Sequence, residues 1–190
     1  MKAPHTRGFS HSTRVPAPRL IDLFLGVFIA LALNPVRAEP QNQLSAEFTV
    51  LQKFVGVWDT QTHIRHTGPP LRQFTTSGRA TCQQTLEGRY VEFRTQSIPP
   101  GQADLQVMTY DAEAGVYRQW LFDSDGYHHE AEGQWDPPSS TLRWQGKTAE
   151  TSFVIVDHWV SPDQLQWTLV RTDARGQKLQ TIAGTLTRVK

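Results

Sequence analysis

Between residues 105 and 126 apolar and polar positions alternate twice with period two, and each run stops in turn chemistry. Asp111 to Gly115 forms the first stop and Asp123 to Gly126 the second. Similar segments lie on both sides, at residues 57–65, 74–85, 90–96, 127–135, 142–145, 152–160, 165–171 and 179–188. Thr67-Gly-Pro-Pro70, Ile98-Pro-Pro-Gly101 and Asp136-Pro-Pro-Ser139 separate some of them, where proline cannot join a ladder. Leu86-Glu-Gly-Arg89 and Asp173-Ala-Arg-Gly176 read as tight hairpins, with Gly176 at a position of positive φ. No helical period interrupts the series.

About ten short strands at this spacing predict an all-β fold, an antiparallel up-and-down barrel. Closure removes the exposed edges of so long a meander. A β-sandwich is the competing arrangement, disfavoured because Greek-key crossovers want longer connections. One short helix precedes the strands. Leu44, Phe48, Leu51 and Val55 recur at helical spacing, Ser45 is available as an N-cap, and Gly56 ends the run. Such a helix would plug one end of the barrel.

The first thirty-eight residues fall outside this pattern. Lys2, Arg7, Arg14 and Arg19 precede an apolar run at 20–33 and then Pro35-Val-Arg-Ala38, the order of a secretory signal. The run contains Asp22 and is shorter than the ~20 residues a bilayer span needs. The expectation is cleavage after Ala38, a barrel domain over 39–190, and a secreted or periplasmic protein with no membrane span. An uncleaved anchor is the alternative. Removing 1–38 takes five of nineteen basic residues and one of eighteen acidic ones, leaving fourteen against seventeen. The whole-chain pI near 8.0 therefore belongs to the leader. With no basic run in the remainder, nucleic acid is not an expected partner. The sequence leaves oligomeric state open. The single Cys82 shares alternate positions with Phe74, Thr76, Gly78 and Ala80, and reads as a small buried hydrophobe.

Two features resemble the calycins, the group of lipocalins and fatty-acid-binding proteins. Gly56-Val-Trp58 follows the helix at the start of the first strand, and Arg188 ends the last. The resemblance implies that Trp58 and Arg188 meet and close the barrel base, a guanidinium stacked on an indole. Thr109-Tyr-Asp111, Tyr117-Arg-Gln-Trp120, Asp123-Ser-Asp-Gly126 and the stretch 133–146 also resemble a bacterial domain family of unknown function with calycin-like character. That similarity covers about residues 51–188 and implies a fold, not an activity.

Alternation assigns faces. Val116, Arg118, Trp120 and Phe122 share one, and Tyr127, His129, Ala131, Gly133 and Trp135 another. Leu142 pairs with Trp144, and Leu165, Trp167, Leu169 and Arg171 line up on the ninth strand. Directed inward, these faces make an aromatic interior with Arg118, His129 and Arg171 as isolated polar groups. A buried arginine must be paired or meet an anion. The expected ligand is thus small, largely apolar and anionic at its head, held by Arg118, Trp120, His129, Trp144, Trp167 and Arg171. The competing expectation sets Arg118 and Arg171 at the barrel mouths, paired with Asp123 or Asp173. On the eighth strand Phe153, Ile155 and Trp159 oppose Val154, Val156 and Val160, so its inner face stays open.

His128, Glu130 and Glu132 share a face able to hold a divalent ion, but an ordinary solvated outer face is the simpler reading. His63 and His66 fall on opposite faces. His158 is a lone candidate haem ligand without support around it. No metal or cofactor is expected. Nucleophile-elbow, zinc-protease, phosphate-loop and dinucleotide signatures are missing. Asp111 and Asp123 sit at turns, where carboxylates shape hairpins. The leading expectation is a ligand-binding barrel. The alternatives are a hydrolase or isomerase working through His129, and a barrel that binds a partner and no ligand.

Overall fold

The computed structural model describes residues 45–67, 70–98 and 101–190. The expected signal at 1–38 and the stripe residue Leu44 lie outside the described residues. The described chain forms helix α1 (Phe48–Gln52) and strands β1 (Gly56–His66), β2 (Arg72–Thr85), β3 (Tyr90–Ile98), β4 (Ala103–Asp111) and β5 (Val116–Asp123). It continues through β6 (His128–Asp136), β7 (Thr141–Lys147), β8 (Thr151–Ser161), β9 (Gln164–Asp173) and β10 (Lys178–Arg188). Every strand pairs antiparallel with its neighbours in sequence, and β1 pairs β10, Trp58 opposite Arg188. The sheet is a closed ten-stranded barrel, not a sandwich. No helix among the described residues is long and apolar enough to cross a membrane.

The turns form as their residues dictate. Asp123 Oδ1 accepts the backbone N–H groups of Asp125 and Tyr127, and Asp173 Oδ1 accepts those of Arg175 and Gln177. Each loop places glycine at positive φ, 85° at Gly126 and 79° at Gly176. Asp111 Oδ1 likewise accepts from Glu113 and Ala114.

The helix closes one end. Val50, Leu51 and Phe54 are buried against Trp58, Phe93 and Trp159, with Phe54 edge-on to both Phe93 and Trp159. Its start differs from expectation, because Ser45 is not the N-cap. Glu47 holds that position in helical conformation without a side-chain cap, and the Phe48 N–H bonds the Ser45 carbonyl across a turn. The Ser45 hydroxyl turns instead to the Glu47 carboxylate. The helix is tied down at both ends. Tyr117 Oη donates to the Glu47 carbonyl at 3.1 Å, and Trp58 Nε1 to that of Phe54 at 2.7 Å. The Arg188 guanidinium lies 4.0 Å over the Trp58 ring and donates to Val55, Lys53 and Pro162 carbonyls.

Inside the barrel, rings pack closely against glycines of the paired strand. Trp144 covers Gly133, Phe153 covers Gly146 and Trp167 covers Gly184. A Cβ on Gly184 would stand 2.3 Å from Trp167 Nε1. Gly184→Ala should therefore swing Trp167 off the wall and lower stability by about 1–3 kcal/mol, read by urea unfolding monitored through tryptophan emission.

Candidate functional site

The two halves of the barrel interior differ. Near the plug, most inward side chains are fully buried, among them Trp58, Leu142, Trp144, Leu165 and Val91, while Tyr110 and Trp135 are half-buried. Toward the other end, Thr60, Thr62, Ile64, Thr95, Leu121, Trp167 and Ile182 also point inward by register but keep accessible surface. These residues lie toward the end opposite α1, where Phe153, Leu169 and His129 are nonetheless buried.

Polar groups converge there without partners. Among the described residues, six side-chain nitrogen or oxygen atoms are buried and lack a hydrogen bond. Four belong to this corner: both ring nitrogens of His129, Tyr127 Oη and Arg171 Nε. The other two are Gln119 Oε1, deeper on β5, and Trp159 Nε1 beside the plug. Arg171 reaches across β8 and β7 to lay its guanidinium 4.8 Å from the Tyr127 ring. His129 sits beneath, 5.7 Å from the Tyr127 ring and 4.4 Å from Phe153. Arg171 has no carboxylate within ion-pair distance among the described residues. Asp123 and Asp173, the partners of the competing expectation, each engage a carboxylate oxygen in their own turns. Burial lowers the His129 pKa to about 4, assisted by the Arg171 charge. The ring is thus neutral at pH 7, one nitrogen a donor and the other an acceptor.

Opposite Arg171, five strands round the barrel, Asp104 faces inward next to Asp123. Burial raises its pKa, against hydrogen bonds from Gln106 and Thr95 that lower it. A second buried acid lies deeper. Asp157, on the inner face of β8 with Phe153, Ile155 and Trp159, accepts Trp144 Nε1 at 2.8 Å. Burial pushes its pKa up to about 7. Sequence reading left the β8 face open and so missed Asp157. An aspartate inside the run Phe153-Val-Ile-Val-Asp157 was the available signal, being out of place on an apolar strand.

The expected site residues divide. His129, Trp144, Trp167 and Arg171 point into the barrel, with Trp144 sealed near the plug. Arg118 and Trp120 do not. On β5 the inward side chains are Tyr117, Gln119 and Leu121, so the expected face is inverted. The reason is electrostatic. Turned outward, Arg118 pairs with Asp111 at 2.9 Å, Glu132 at 3.0 Å and Glu130 at 3.4 Å, whereas an inward arginine would lose those partners. The Arg118 hydrogen bond holds the Asp111 carboxyl below its usual range. The same pairs engage Glu130 and Glu132 on the outer face. His158 is outward and exposed. Cys82 is buried, its thiol pushed up to about 12 by desolvation. Two open grooves cross the outer wall, one by Asp59, Gln61 and Ile98, the other by Glu132, Lys147 and Val170. Neither gathers buried unpartnered groups.

For acid–base chemistry His129 would need a second polar group within hydrogen-bonding reach. It has none among the described residues.

Residues 43–188 match the family described as Protein of unknown function (DUF1579). The chain belongs to that family. No curated protein matches the sequence. Among solved structures, Rv2717c from M. tuberculosis is similar at a TM-score of 0.59 and 13% identity, over 78% of this chain and 100% of that one. The S-type phycobiliprotein lyase CPES from Guillardia theta is similar at 0.50 and 13%, over 78% and 95%. At these identities the likeness is one of fold alone.

Proposed function

We propose that this DUF1579 barrel binds a small, largely apolar molecule with an anionic head in the half of its interior opposite α1. One observation carries the reading: Arg171, Tyr127 and His129 converge on that space with four buried polar atoms unpartnered. A charged guanidinium without a carboxylate there favours an anion. Tyr127 Oη and the N–H of neutral His129 supply further donors, while Trp167, Phe153 and Ile182 offer apolar wall. The site of action is proposed to be outside the cytoplasm, after cleavage at Ala38. Protein recovered from periplasm or medium should then begin at Glu39, and recovery only as full-length membrane-bound chain would overturn that part.

The binding test is a titration with 1-anilinonaphthalene-8-sulfonate, an apolar ring system bearing a sulfonate, displaced by dodecanoate. Saturable one-to-one binding is expected. Arg171→Ala should weaken it by about ten-fold or more, the worth of a charge-assisted hydrogen bond. Arg118→Ala, on the outer wall, should change it less than about two-fold. No saturable binding, or equal loss in both variants, would sink the proposal. Native mass spectrometry of gently purified protein adds a direct look, since mass lost on denaturation would name the ligand class.

A further inference from the structure

We propose that one side of the barrel mouth, formed by the β1–β2 and β9–β10 ends, docks on an anionic lipid surface. This goes beyond the ligand-binding reading and stands without it. The two strand ends are tied together: the Thr67 N–H bonds the Leu179 carbonyl at 3.0 Å and its hydroxyl donates to that of Lys178. His66 stands in register with both Arg72 and Gln180. The junction exposes Leu71 at 74%, Phe74 at 43% and Leu179 at 38%, unusual exposure for three large apolar side chains in one corner. Around them Arg65, Arg72, Arg175 and Lys178 are all exposed, and none makes an ion pair among the described residues.

The charge is unevenly spread. Beyond residue 38 the chain carries seventeen acidic and fourteen basic side chains, so an unpaired basic corner runs against its average. The ends on the other side, β3–β4, β5–β6 and β7–β8, carry Asp104, Asp123, Asp125 and Glu150 against Lys147 alone, while Asp173 is the acid of the β9–β10 end. The mouth is therefore polarised in charge, with apolar side chains exposed on both sides, Ile98 and Phe122 on the acidic one, so charge selects the docking side. Leucine and phenylalanine tips flanked by long cations suit a headgroup boundary: the tips enter the acyl edge while the cations stay with the phosphates. Each cation near an anionic leaflet strengthens binding by about five-fold. Docked this way, that end of the barrel faces the lipid from which an apolar, anionic molecule would come.

The plug and all ten strands lie within the described residues, so the barrel is tested as residues 39–190 in flotation with vesicles. Binding is expected to vesicles containing roughly one-third phosphatidylglycerol, to fade as salt rises, and to be absent with phosphatidylcholine alone. The triple variant Arg65→Glu, Arg72→Glu and Lys178→Glu should abolish it, and Leu71→Asp should weaken it with the cations intact. Equal binding to both compositions, binding to neither, or retention by the triple variant would overturn the proposal. So would self-association that Leu71→Asp removes, which would assign the corner to a second copy. The salt dependence of the unaltered barrel keeps the test decisive should the triple variant fold poorly. Vesicle binding that survives while the anilinonaphthalene sulfonate fails to bind would count against the ligand reading alone.

Discussion

Asp157→Asn is expected to stabilise the protein above pH 7 by up to about 4 kcal/mol, and to leave it unchanged near pH 4. The side chain is buried on the inner face of β8, its pKa pushed up to about 7 from 3.8. Between those values the folded chain holds a proton that the unfolded chain has released. Stability from this group is therefore lost as pH rises through that window. Asparagine keeps an oxygen for Trp144 Nε1, now 2.8 Å from Asp157 Oδ2, and has no charge to desolvate. His129 titrates with the opposite sense. Its pKa falls from 6.5 to about 4, so the unfolded chain binds the extra proton between those values and stability rises with pH. The two slopes oppose each other, so these two groups together should add little net slope from pH 4 to 6.5. Asp157→Asn should uncover the His129 slope, a gain of about 3 kcal/mol over the same range. Urea unfolding at half-unit pH steps reads this directly. A wild-type profile parallel to that of the variant would show that Asp157 titrates normally.

The fold was legible because alternation and turn chemistry agree along most of the chain. At the ninth strand Leu165, Trp167, Leu169 and Arg171 face the interior as expected, since no competing apolar set occupies the alternate positions. At the fifth strand both sets are apolar, Val116, Trp120 and Phe122 against Tyr117 and Leu121. Parity alone cannot choose between them. The choice rests on partners remote in sequence: Glu47, whose carbonyl Tyr117 reaches, and Glu130 and Glu132, which receive Arg118. Asp157 was hidden for the same reason, because the eighth strand is apolar on both faces. The convergence of Tyr127 with Arg171 was equally out of reach, for it crosses the two intervening strands β7 and β8 and depends on the curvature of the sheet.

Arg188→Ala is expected to lower stability by about 3–5 kcal/mol, with the loss focused on the plug. The guanidinium lies 4.0 Å over the fully buried Trp58 ring and donates to Val55 at 2.5 Å, Lys53 at 3.0 Å and Pro162 at 3.2 Å. Lys53 and Val55 follow α1 directly, where carbonyls have no further turn of helix to bond. Truncation leaves them, and the Asp163 carboxylate 3.3 Å from Arg188 Nε, without that donor. Arg188→Lys should restore only part of the loss, since one ammonium cannot both stack on the indole and fork between two chain segments. Gly56→Ala offers a route to the same damage from the other side. Its φ of 138° disfavours a side chain, and a Cβ there would stand 2.3 Å from Arg188 Nη1. If the plug depends on this one fork, Arg188→Ala and Gly56→Ala should each expose the Val50, Leu51 and Phe54 amides to hydrogen exchange well before the β7–β9 core. Equal protection of helix and strands in both variants would mean that apolar packing alone holds α1, and that Arg188 serves only the β1–β10 seam.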